Sequence, residues 1–159
     1  MALQYDGTST GMSITAGGLA SNAARSSAAA TTSTSVNLYD ILLKIRVLTT
    51  ATAPSGNKQV VVYAYTSVDG TNYSGASGTV DDVDGTDKTL TAIGSPTNLI
   101  RLGVLALNQG ANARTIEADF SLMAAVGFLP PKFGVVLHND AGTALGATVT
   151  VEYRGVYYT

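Results

Sequence analysis

The chain has 159 residues, of which 45% are apolar and only 13% charged, with a net charge of −2 and no cysteine. That length supports one domain with a hydrophobic core, while the small net charge excludes the electrostatic attraction behind binding to nucleic acid or an anionic membrane. The missing thiols exclude a disulfide framework and thiolate metal sites. No apolar run approaches the length of a membrane span, and Met1-Ala2-Leu3-Gln4-Tyr5-Asp6 lacks the basic-then-apolar order of a secretory signal. Synthesis in a cytoplasm is therefore expected. The charged share is about half the usual one, and a surface coated by Thr, Ser, Asn and Gly fits an assembly subunit partly covered by its partners.

Residues 1–35 differ from the rest. Asp6 and Arg25 are their only charges, and Ser21 to Ser35 is almost entirely small side chains. Small residues bury little area each, so this segment is not expected to fold alone. It reads as a flexible tail or as an arm lying in a groove of its own domain or of a neighbour, with part of it pairing as an edge strand. The expected organisation is an arm over 1–35 and a single β domain over 36–159.

From Val36 onward strand follows strand. In Tyr39 to Val47 the odd positions are apolar and the even ones mostly charged, a period of two with one face in and one out. Pro54-Ser55-Gly56-Asn57 predicts a hairpin turn into Val60-Val61-Val62-Tyr63-Ala64-Tyr65-Thr66, whose β-branched and aromatic residues suit a pleated sheet. Asp69-Gly70 supplies turn chemistry after it. Residues 74–98 form the longest connection and are rich in Gly and Asp. Further strands are expected at Leu99 to Leu107, Thr115 to Leu122, Phe133 to His138 and Thr148 to Arg154, with one short helical turn at Leu122 to Val126. Many strands, long crossing connections and almost no helical repeat predict an all-β fold, an antiparallel jelly-roll-like sandwich with an extended N-terminal arm.

Few residues offer chemistry. His138 is the single histidine; beside Asn139 and Asp140 it reads as a strand end before a turn, since a catalytic triad needs partners in set geometry. Ser55-Gly56-Asn57-Lys58 matches a Ser-x-x-Lys pattern but sits in a turn, where that motif needs a helix start. Asn72-Tyr73-Ser74 has the form of a glycosylation acceptor, without a secretory signal to give it meaning. The best ligand candidate is the loop Asp81 to Asp87, where Asp82, Asp84 and Asp87 could offer hard oxygens to Ca²⁺. Its glycine is misplaced for an EF-hand, and Ile93 stands where the closing glutamate belongs. The favoured reading is a solvated loop with Asp-Gly turns, and no metal or other cofactor is expected. Tyr63 and Tyr65 share a strand face, and Tyr153 and Tyr157 lie close in sequence; aromatic platforms can bind sugars, but packing in the sandwich core is the stronger expectation for Tyr63 and Tyr65.

Several pieces, in order, carry a resemblance: Leu19-Ala20-Ser21-Asn22-Ala23-Ala24-Arg25-Ser26; Tyr63 to Tyr73; Leu129-Pro130-Pro131-Lys132-Phe133-Gly134-Val135-Val136-Leu137-His138-Asn139-Asp140-Ala141-Gly142; and Val151 to Thr159. From about Leu19 onward the chain resembles the small jelly-roll cement or decoration proteins on the capsids of tailed bacteriophages. The resemblance implies a structural virion protein on the capsid surface, made in the host cytoplasm. It implies no enzyme activity, homotrimers, and the major capsid protein as partner, with neither nucleic acid nor membrane bound. Interface residues on this reading are Leu19, Ala20, Arg25, Ser26, Ala28 and Thr31 of the arm. Removal of residues 1–30 is then expected to spare the β fold. The alternative is a tail- or fibre-associated jelly roll that binds host glycans through exposed tyrosines and the acidic loop.

Overall fold

A computed structural model describes residues 2–33, 37–75, 82–90, 93, 97–108 and 110–159. It is an antiparallel β-sandwich. In chain order the strands are β1 (Leu3–Tyr5), β2 (Thr10–Met12), β3 (Ala24–Ser26), β4 (Ala30–Thr31), β5 (Leu38–Thr49), β6 (Gln59–Ser67), β7 (Lys88–Leu90), β8 (Ile100–Ala106), β9 (Thr115–Ser121), β10 (Lys132–Asp140) and β11 (Leu145–Tyr158), with one short helix, α1 (Leu122–Val126), after β9. One sheet runs β1-β11-β5-β9, with β2 also on β11; the other runs β7-β3-β10-β6-β8, with β4 also on β10.

The pairing is nested. β1 and β2 at the start pair with β11 at the end, β3 pairs with β10, β5 with β9, and β6 with β8. A long antiparallel hairpin folded over into two sheets gives this order, which is that of a jelly roll. β7 is an addition from the β6–β8 connection, laid against β3.

Alternation places the core. The odd residues Ile41, Leu43, Ile45 and Val47 of β5 and Val149 and Val151 of β11 point inward from one sheet. From the other come Val60, Val62 and Ala64 of β6 and Phe133, Val135 and Leu137 of β10. Side chains two apart in a strand share a face, so each strand contributes every second residue. The even positions of β5 carry Lys44 and Arg46 outward, where they pair with Glu117 and Asp119 of β9. Such exposed pairs contribute little stability each.

Four expectations are corrected. First, Pro54 to Asn57 does not close a hairpin: β5 and β6 lie in different sheets, so the turn carries the chain across the sandwich. Second, Asp40 breaks the outward rule of its strand's even positions. It is buried, and its carboxylate accepts from the Ile41 and Met123 backbone N–H groups (2.7 and 2.9 Å) and from the Ser121 hydroxyl (2.6 Å). Ser121 in turn caps α1 by accepting from Ala124 N–H, so one buried acid ties the helix start to β5.

Third, of the two expectations for the N-terminal segment the flexible tail gives way to the arm paired with its own domain: β1 lies at a sheet edge as expected, and the rest is built into the sandwich. The boundary expected at residues 35 and 36 falls outside the described residues, but residues before it form strands in both sheets. β3 lies between β10 and β7, an interior position rather than an edge. Asn139, fully buried, donates its amide to the Leu19 and Thr143 carbonyls at 2.8 Å each, and its backbone N–H donates to Ala23 O. These bonds satisfy buried polar groups on both sides, so the segment replaces water that β10 would otherwise need.

Fourth, Tyr65 is buried, but not between the sheets. It lies on the outer face of its sheet in a second core, with Ala24, Val136, Val83, Leu90 and Leu99, against which Tyr63 and Tyr73 pack. Described parts of the β6–β8 connection cover this face. The Tyr65 hydroxyl donates to Ser27 O at 2.6 Å, and its ring meets Tyr73 edge to face with centroids 5.5 Å apart. Directly across the ladder stands Gly134, where a Cβ would lie 2.1 Å from Tyr65 Cζ. Only glycine leaves room for the ring to lie over β10.

Removing residues 1–30 deletes β1 to β3 and exposes β10 and β11, so the truncated chain is expected to lose its β-sheet circular dichroism; a folded truncated monomer would contradict this placement. Asp40→Ala leaves three donors without their acceptor and is expected to lower stability by about 2–3 kcal/mol in urea unfolding. A change within error would show that water replaces the carboxylate.

Candidate functional site

The acidic segment folds as a set of internal clamps. Asp87 accepts from the Thr15 hydroxyl (2.6 Å) and from Arg25 Nε (2.7 Å). Partial burial pushes the Asp87 carboxyl up, but these two hydrogen bonds outweigh it and hold the group below the usual carboxylate range. Asp84 accepts from the Thr86 hydroxyl and backbone and from Lys88 Nζ, and the Thr86 bond above all brings its pKa down to about 2. Asp82 lies 3.9 Å from Lys88 Nζ. Asp81 is outside the described residues. Asp82, Asp84 and Asp87 therefore face Arg25 and Lys88 rather than a common centre, and among the described residues no group of three His, Asp or Glu side chains could hold a metal ion.

The turn after β6 is another closed unit. Asp69 Oδ1 accepts from the backbone N–H groups of Thr71 and Asn72, and Oδ2 from the Asn72 amide. Led by the Asn72 side-chain bond, these contacts hold the Asp69 carboxyl well below the usual range. They also occupy Asn72, and Ser74 accepts from Thr66 N–H. Gly70 at φ 78° supplies the left-handed residue the turn needs. His138 lies within β10, paired across to Ala24 and Val61, and Ser55 reaches the Gly142 carbonyl at the crossing turn.

The proposed interface residues separate. Leu19 packs in the main core, and Ser26 is fully buried, donating to Thr86 O and lying on the Lys88 backbone. Arg25 is held by Asp87 and Thr89. These three are engaged inside their own fold, Arg25 and Ser26 on the interior strand β3 and Leu19 in the main core. Ala28 is half-buried, with its N–H on Ser13 O. Ala20 and Thr31 remain exposed.

The structure brings together an exposed surface that sequence reasoning missed. β1 lies along one margin of its sheet, where Ala2 and Thr159 exchange both backbone hydrogen bonds and Asp6 N–H donates to Gly155 O. In an antiparallel ladder the alternate residues then turn their N–H and C=O groups away, so Leu3 and Tyr5 present theirs on the open edge. Their side chains are about half exposed, at 50% and 54%. Leu3 stands opposite Tyr158, whose ring meets exposed Tyr39 at 4.8 Å, and Arg154 lies over the Tyr5 ring at 5.5 Å. Partial desolvation beside Tyr39 pushes the Tyr158 hydroxyl pKa up. A three-residue strand at the chain's start carries too short an alternation to be read, and Tyr39 and Tyr158 are distant in sequence; the signal was absent locally.

The fold and these surfaces define an antiparallel jelly roll with internally paired acids and an aromatic sheet edge at β1. Comparison of the chain with protein-family models, curated proteins and solved structures finds no match.

Asp84 and Asp87 are held lower in the folded chain than in an unfolded one, where a carboxyl titrates near 3.9. Their stabilising contribution is therefore complete above about pH 4 and is lost as pH falls toward the folded values. Thermal melts are expected to show a lower Tm at about pH 2.5 than at pH 7, with a smaller drop in Asp87→Asn. An equal drop in that variant would remove the Asp87 clamp from the explanation.

Proposed function

We propose that the chain is a structural protein of a tailed-bacteriophage virion, a decoration protein that binds the outer capsid surface and stabilises the head by bridging subunits of the major capsid protein. The observation that carries a contact role is the open β1 edge with Leu3, Tyr5, Tyr39 and Tyr158 around it. Unpaired strand edges and apolar patches are surfaces on which proteins associate, and tyrosines give large contact area with few torsions to freeze. The capsid as partner rests on the resemblance of the sequence to cement proteins.

The mechanism is interfacial. Nested pairing and two packed cores resist deformation, so a contact made at the edge transmits load instead of yielding. A homotrimer would present three such edges, and several weak contacts on one rigid body give avidity beyond any single one. Ala20 and Thr31 remain available to this reading; Arg25 and Ser26 support it from within by holding the insertion to the sheet, and Leu19 by packing in the main core.

The test is co-sedimentation of the purified protein with empty capsids of the phage that encodes it. The intact chain is expected to sediment with them, and a Leu3→Ser, Tyr5→Ser double variant to lose at least about tenfold in affinity while keeping its melting temperature within a few degrees. Absence of binding by the intact chain would overturn the capsid reading, and undiminished binding by the folded variant would remove the β1 edge from it.

A further inference from the structure

At the margin where β1 and β2 meet β11, a cavity of about 320 Å³ opens between the strands and the residues around β4. Its size lies at the lower end of small-molecule sites. Tyr153 and Thr10 are paired across the ladder and both line it, Thr31 faces them from β4, and Ile41 contributes apolar wall. Tyr153 keeps its ring edge-on to Phe133 at 5.4 Å, anchored in the main core. Its hydroxyl, and those of Thr10 and Thr31, make no hydrogen bond to any described residue. Asp6 completes the set. Its Oδ2 receives long bonds from Tyr157 OH (3.2 Å) and Gly155 N–H (3.3 Å), while Oδ1 accepts none. A Cβ at Gly155 would stand 2.7 Å from Tyr157 OH and 2.8 Å from Asp6 Oδ2, so glycine at this position is what lets the carboxylate and the phenol meet there.

We infer that this cavity is a binding site for a neutral polyhydroxylated ligand of about hexose size. The lining decides the class. Among its described lining residues Asp6 is the only charged side chain and there is no cation, which disfavours an anion. One carboxylate supplies too few oxygens for Ca²⁺, which takes six to eight. Hydroxyls both donate and accept, so a sugar can give protons to Asp6 Oδ1 and exchange hydrogen bonds with Thr10, Thr31 and Tyr153, while its C–H surface rests on Ile41 and the tyrosine rings. The site is distinct from the acidic loop, whose carboxylates are already clamped, and it does not depend on the capsid reading.

The experiment is a titration of the ¹⁵N-labelled intact chain with free D-glucose, D-galactose, D-mannose and N-acetyl-D-glucosamine, each followed by amide shifts. At least one sugar is expected to shift residues around Asp6, Thr10 and Tyr153 in a saturable way. Tyr153→Phe keeps the ring on Phe133 and is expected to weaken that sugar about fivefold, the loss of one hydrogen bond; Asp6→Asn is expected to weaken it at least as much. No saturable shift with any of the four sugars, shifts scattered over the surface, or equal affinity in both folded variants would overturn the inference.

Discussion

The fit of the Tyr65 ring over Gly134 is the constraint on which most of the architecture depends. The ring can lie across β10 only because no side chain stands opposite it. Once there, its hydroxyl reaches the Ser27 carbonyl and its edge meets Tyr73. Distant parts of the chain are thereby joined at one point: β6 with the insertion that follows it, the N-terminal segment after β3, and β10. Burial pushes the Tyr65 hydroxyl pKa far up, so the group remains a neutral donor under ordinary conditions.

The second core built on that ring explains why the insertion does not hang free. Val83, Leu90 and Leu99 cover the outer face of the sheet beside it, and Arg25–Asp87 and the Ser26 hydroxyl fasten its rim. Both sides of β10 are then packed, Phe133, Val135 and Leu137 toward the other sheet and Val136 toward the insertion. A strand enclosed on two faces and two edges cannot shift register without moving every neighbour. The shape is held, and among the described residues the β1 edge and the cavity beside it lie open to solvent.

Six strands were legible because their alternation is long or their residues branched, apolar or aromatic. β5, with Ile41, Leu43, Ile45 and Val47 on one side, is the clearest case of alternation, with β9 beside it, while β6, β8, β10 and β11 were read from runs of β-branched, apolar or aromatic residues. β3 was invisible for a physical reason. Its buried residues are Ala24 and Ser26, which lie under the insertion on the outer face of the sheet, and small residues carry no hydrophobic period. Tyr63 and Tyr65 were correctly placed on one face, but periodicity says which residues share a face and not what covers it. Asp40 was misread outward because a strand pattern treats every charge as solvated, whereas this one has three donors of its own. The candidate contact edge needed the nested pairing, which brings the first residues beside the last.

The central claim is that the ring of Tyr65 and the bare backbone of Gly134 are one unit, and a double-mutant cycle between Gly134→Ala and Tyr65→Leu measures it directly. A methyl at 134 is expected to destabilise the native chain by about 2–3 kcal/mol through overpacking, and by under about 1 kcal/mol once the ring has gone. Equal penalties in the two backgrounds would contradict the account.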